Sequence, residues 1–235
     1  ATPWAQILTK VMGGIEVLRF FHRVCGLATI GYFVWHVIQQ FRRIVLQRRF
    51  DLLRGPNSML PRPQDLLDLY RNLKWFLYLG PQPRFDRWTY FEKFDYFAVF
   101  WGVPILGVTG LLMWFPGYFS AYLPGIVFNI AAVIHSEEAL LATAFIFVFH
   151  FYHNHLRVEN FPIDTSIFTG RISLARFREE RAEEYARLVR ENKLAEVLTE
   201  PPDQRTRIRS LVFGFSAMGI GLLLIFAILI TYFYY

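Results

Sequence analysis

The stretch LRFFHRVCGLATIGYFVWHVIQQF, Leu18–Phe41, decides the fold. A helix that crosses a bilayer needs about 20 predominantly apolar residues, and this stretch supplies them. It also places His22, Arg23 and His36 at membrane depth. Such side chains are costly in lipid and normally face a bundle interior or a bound group. Three further stretches are long and apolar enough to span: about Tyr96 to Phe115, which contains Pro104, Ile126 to Tyr152, and Leu211 to Tyr235. The third carries His135, Glu137, Glu138 and His150, whereas the fourth has no charged residue. The expected fold class is all-α: an integral membrane four-helix bundle with amphipathic helices in its cytoplasmic loops.

Composition agrees. Of 235 residues 54% are hydrophobic and 18% aromatic, and the mean hydropathy is +0.28. That exceeds what a soluble domain of this size carries. The net charge of +6 could suggest nucleic acid. In a membrane chain it reflects basic loops held on one side, so no nucleic-acid partner is expected. The one cysteine, Cys25, excludes an internal disulfide and an iron–sulfur cluster carried by this chain alone. The c-type attachment motif C-x-x-C-H is absent.

Eleven of the 25 Lys and Arg lie between Arg42 and Lys93 and eleven between Arg157 and Arg209, with none from 116 to 134. The positive-inside rule then places both basic loops in the cytoplasm and both termini outside, in a bacterial inner membrane. Residues 1–17 read as an N-terminal extracytoplasmic segment without a secretory signal pattern. Residues 18–155 form the first three helices, with a cytoplasmic loop at about 42–95. A second cytoplasmic loop covers 156–210, and the fourth helix covers 211–235. Ser173 is a candidate N-cap for a surface helix running to about Leu198, ended by Pro201–Pro202. Its charges read as a solvated face, with docking of a partner subunit the sharper alternative. A similar amphipathic piece runs from Gln64 to Leu79.

The histidines carry the functional signal. His22 and His36 are 14 residues apart, about 21 Å along a helix and within roughly 40° of one face. His135 and His150 are 15 apart, about 22 Å, and misaligned by roughly 60°. Helices one and three run in the same direction, so His22 falls level with His135 and His36 with His150. Each pair suits the two axial positions of one iron, so two bis-His haem b groups are the expected cofactors. Gly26, Thr29, Ala139 and Ala142 leave room for a flat macrocycle, though small residues also serve plain helix packing. His153 is in phase with His135 but about 27 Å away, and stands as the alternative to His150. Arg23, Arg42 and Arg43 are candidate contacts for haem propionates, or headgroup anchors in the case of the last two. His155, expected just past the helix end, is a candidate contact for a quinone or a propionate. Thr29 and Ser136 are candidates to orient the ligand imidazoles. Two other classes fit the residues: a metal-ion transporter using His150, His153 and His155, and a redox-inactive anchor of a complex.

The runs Glu92–Tyr96 and Thr109–Pro116 resemble the cytochrome b subunits of formate-dehydrogenase type. So do His135 and the run from His150 through Arg157, Phe161–Asp164 and Phe168–Gly170. That family includes membrane subunits accompanying multihaem c-type cytochromes. The resemblance implies a dihaem electron-transfer subunit of a membrane quinone oxidoreductase complex. Its partners would be lipid, a quinone or quinol, and a redox subunit such as a multihaem c-type cytochrome or an iron–sulfur protein. The formate-dehydrogenase subunit spreads its ligands over three helices. Here they fall two and two, as in the cytochrome b of quinol–cytochrome c oxidoreductases. The expected quinone position is beside the inner haem, near His36, His150, His155 and Trp88–Phe91.

Overall fold

The computed structural model describes residues 3–158, 160–161 and 163–234. It is all-α, with no strand among the described residues. Four helices are long and apolar enough to cross a membrane: Ile15–Leu46, Tyr90–Trp114, Ile126–His153 and Gln204–Ile230, called here the first to fourth spans. The chain is a multi-pass membrane bundle.

Burial runs opposite to that of a soluble protein. The buried hydrophobic residues among those described are only Ala131, Phe151, Ile163 and Leu188, while Lys93, Asp65, Asp68, Thr109, His155, Asn160 and Glu184 are buried. Large apolar side chains such as Phe213, Leu223 and Phe226 on the fourth span face outward. Lipid rewards that arrangement, because an apolar exterior costs nothing in hydrocarbon and polar groups must find partners inside.

The second span begins earlier than the hydropathy suggests, at Tyr90 rather than Tyr96. Thr89 accepts a hydrogen bond from Glu92 N at 3.3 Å, and Glu92 Oε2 accepts from Thr89 N at 2.8 Å. This reciprocal capping box starts the helix ahead of the apolar run. The fourth span likewise starts at Gln204, taking Arg205, Arg207 and Arg209 into its first turns. Pro104 lies inside the second span. The third span changes hand-hold at Ile146, where α-helix gives way to a π-helix that runs to Leu156.

The chain divides into two compact units. The first comprises Ala1–Val34, Gly102–Gly170 and Pro202–Tyr235. Within it the π-helical stretch packs on the fourth span, where glycines make the approach close. A methyl group at Gly214 would overlap the Ile163 side chain, and one at Gly221 would overlap the Phe151 ring. Gly221→Leu is therefore expected to lower the unfolding midpoint in detergent by the equivalent of about 1–3 kcal/mol, the usual cost of overpacking. Gly219, with nothing near its missing Cβ, should accept the same change without loss.

The second unit comprises Trp35–Trp101 and Arg171–Pro201. Its helix Pro63–Phe76 opens with Asp65 accepting from Arg62 N at 2.6 Å. It ends before Tyr78, whose φ of 58° turns the chain. Lys93, 1% exposed, reaches both oxygens of Asp65 at 2.7 and 2.9 Å. The expected single surface helix from Ser173 is three pieces, Leu174–Glu180, Ala182–Arg190 and Leu194–Val197. Ser173 caps the first as expected, accepting from Arg176 N at 3.2 Å. The break at Arg181 turns the second piece onto the segment before the second span. Glu183 N donates to the Phe85 carbonyl at 3.0 Å, Arg187 pairs with Asp86 at 3.0 Å, and Arg87 pairs with the buried Glu184 at 3.3 Å. Arg87 and Arg181 both lie over the Trp88 ring. One side of this helix is thus docked within the unit rather than solvated.

Candidate functional site

His22 on the first span and His135 on the third come together. Their ring centroids are 6.0 Å apart with planes at 78°. Both line a cleft of about 470 Å³ in the first unit.

The second span shapes this cleft, which the sequence did not reveal. Thr109 Oγ1 donates to the Ile105 carbonyl at 2.6 Å and lies 3.0 Å from His135 Nδ1. A hydroxyl has one proton, and it is committed to that carbonyl. Nδ1 of His135 must then carry the proton and donate to Thr109. Nε2 is left with its lone pair free, the form in which an imidazole binds a metal. Gly110 completes the support: a Cβ there would sit 3.2 Å from His135 Cε1. Gly107 makes similar room for Ile30. The orienting residues proposed from sequence turn away. Thr29 donates to the Cys25 carbonyl and Ser136 to the Val133 carbonyl, each on its own helix. Gly26, Thr29 and Ala139 do line the cleft, as their helix face suggested; Ala142 does not.

Arg23 also lines the cleft, with its guanidinium 4.9 Å from the Trp114 ring centroid. Arg19, one turn earlier, joins it there and pairs with Glu16 at 2.7 Å. Its i, i+4 relation to Arg23 was the available signal for this second cation. Glu138 is half-buried one turn after His135, where a Cβ on Gly102 would lie 3.2 Å from its Oε1; Glu137 is exposed.

The second predicted histidine pair is divided between the two units, His36 in the second and His150 in the first. His36 is half-buried, with Nε2 2.8 Å from the Tyr96 hydroxyl and its ring edge-on to Phe100. His150 is exposed on the π-helical stretch, edge-on to Phe145. That stretch alters the register used above. Hydrogen bonds running i→i+5 put more residues in each turn, so each residue rotates by less than in an α-helix. His150 loses part of its 60° overshoot relative to His135, and His153 falls out of phase. His153 Nδ1 lies 3.2 Å from the Phe149 carbonyl. His155 is not beyond the helix end but within it, 7% exposed against Phe151, and its Nδ1 has no hydrogen-bond partner among the described residues. Arg42 and Arg43 are exposed in the π-helical turn that ends the first span.

Among the described residues no three His, Cys, Asp or Glu converge as a metal cluster. The cleft offers two imidazoles, not the four ligands that a zinc ion takes from a protein. Two opposed imidazoles hold a metal when a planar ligand supplies the rest of its coordination. His22 and His135, with ring centroids 6.0 Å apart, would hold such a group between them. Two guanidinium groups beside the cleft suit a dianionic edge. The residues present therefore fit haem.

No family model matches the chain, nor does any curated protein or solved structure.

Proposed function

We propose that this chain is a membrane cytochrome b subunit that carries electrons across the bilayer between a quinone pool and a partner redox subunit. The observation that supports it most is the His22–His135 pair, in which His135 Nδ1 donates to Thr109 and Nε2 is left free. His22 and His135 would hold one haem b, with Arg19 and Arg23 beside its propionates. Spacing in the sequence assigns His36 and His150 to the second, and His36 Nε2 lies 2.8 Å from the Tyr96 hydroxyl within its own unit. Haem b supplies one-electron transfer when bound. The chain's own residues hold the ligand nitrogens, exclude water with the apolar cleft wall and balance charge with guanidinium groups.

The resemblance to formate-dehydrogenase-type cytochrome b subunits supports the same reading, as does the charge pattern of the loops. On this reading the protein sits in a bacterial inner membrane with both termini extracytoplasmic. Its partner is a multihaem c-type cytochrome or an iron–sulfur protein. His155 is the candidate quinone contact, since its buried Nδ1 lacks a partner among the described residues.

The test is a reduced-minus-oxidised spectrum of the purified chain with pyridine-haemochrome quantitation. A b-type alpha band and two haems per chain are expected. A colourless protein that binds divalent cations would replace this reading with metal transport.

A further inference from the structure

The helix Pro3–Val11 precedes the first span and is set off from it by Gly13 and Gly14. Both glycines have positive φ, 92° and 97°. Gly14 N donates to the Thr9 carbonyl at 2.8 Å and Gly13 N to the Lys10 carbonyl at 3.2 Å. This double closure is a Schellman motif, a built stop that redirects the chain. A Cβ at Gly13 would also press on Val17 at 3.2 Å, so the corner demands glycine twice over.

The corner matters because Pro3–Val11 could otherwise lengthen the first span. That span already has 32 residues, well beyond the roughly 20 that the hydrocarbon core requires. The turn thus keeps this apolar helix out of the axis of the first span. Glu16 and Arg19 pair just after it, both exposed on the helix. The short helix is two-faced. Ile7 and Val11 share one side in helical register, with Thr9 opposite, Gln6 about 120° away and Lys10 at the flank. Ile7 is 64% and Val11 78% exposed.

We infer that Pro3–Val11 is an interfacial helix, lying in the plane of the membrane with the Ile7–Val11 face in the headgroup–acyl boundary and Lys10 toward anionic headgroups. The occupant of this face is lipid, because the face is continuous along the chain with the lipid-facing surface of the first span. Amphipathic helices of this kind hold by buried apolar area together with attraction of basic residues to anionic lipid.

The experiment uses the full chain in nanodiscs of mixed phosphatidylcholine and phosphatidylglycerol, with Cys25→Ser removing the native thiol. Spin labels are placed singly at Ile7→Cys, Val11→Cys, Gln6→Cys and Lys10→Cys. Labels at 7 and 11 should be more accessible to oxygen than to a water-soluble nickel chelate, and labels at 6 and 10 the reverse. Water-like accessibility at all four positions overturns the inference. Occlusion of positions 7 and 11 from both reagents also overturns it, in favour of a protein covering the face. As a check on unlabelled side chains, Ile7→Lys with Val11→Lys should abolish amide-exchange protection of residues 3–11 in nanodiscs. Unchanged protection would contradict lipid burial.

Discussion

His135→Ala should leave the purified protein with one haem per chain instead of two, and His22→Ala should lose the same one. The reason is the 6.0 Å approach of the two rings across a single cleft. If both imidazoles hold one haem, removing either takes away half of what the chain offers to hold it. The double variant should then lose no more than either single one. Low-temperature spectra and redox titration identify which haem is missing. Loss of different haems from the two variants, or full haem content in either, would break the pairing. Thr109→Val sharpens the test. It keeps the shape of the side chain but removes the acceptor that fixes His135 Nδ1–H. Removing an outer-sphere partner of a ligand typically costs 10–100-fold in metal affinity, so haem retention during dilution or competitor challenge should fall by about that factor. Thr29→Val and Ser136→Ala, whose hydroxyls serve their own helices, should retain haem as the parent does.

Lys93→Met should be the most destabilising single change outside the histidine cleft. Lys93 is 1% exposed and lies within hydrogen-bonding distance of both Asp65 oxygens. Removing one member of a buried pair strands the other charge without solvent, which costs about 3–5 kcal/mol. The loss has a second route, because Asp65 also holds the first turn of Pro63–Phe76 through Arg62 N. Lys93→Met with Asp65→Asn should recover most of the stability. The amide still accepts at the helix start, and no unpaired charge remains. Denaturant unfolding in detergent, followed by tryptophan fluorescence, measures both. Arg49→Met is the control: its pair with Asp51 is exposed on both sides, and the midpoint should not move. If Lys93→Met behaves like that control, the buried pair is not what joins this helix to the second span.

The spans were legible because lipid imposes a length and a polarity that no fold detail can evade. Their starts were less so. The apolar run marks Tyr96, but the helix begins at Tyr90 because Thr89 and Glu92 cap each other. That signal, Thr followed three residues later by Glu, stood in the sequence ahead of the hydropathy rise. The surface helix from Ser173 read as one amphipathic rod with a wet face. Its ion pairs to Asp86 and Arg87 join residues about a hundred positions apart, which local periodicity cannot register.

The order of residues alone determined that this chain has four helices long and apolar enough to cross a membrane and that His22 and His135 fall at one level. Both follow from rise per residue and the thickness of hydrocarbon, which depend on spacing alone. Tertiary structure decided what holds the imidazole in place. Thr109, Gly110 and Gly102 are 25 or more positions from the groups they face on the third span, and as isolated letters they are ordinary span residues. It also decided the register of His150, His153 and His155, because the switch to a π-helix at Ile146 leaves no mark in the apolar pattern. The π-helical stretch packs on the fourth span, with Phe151 against Gly221, and only folding brings the two together.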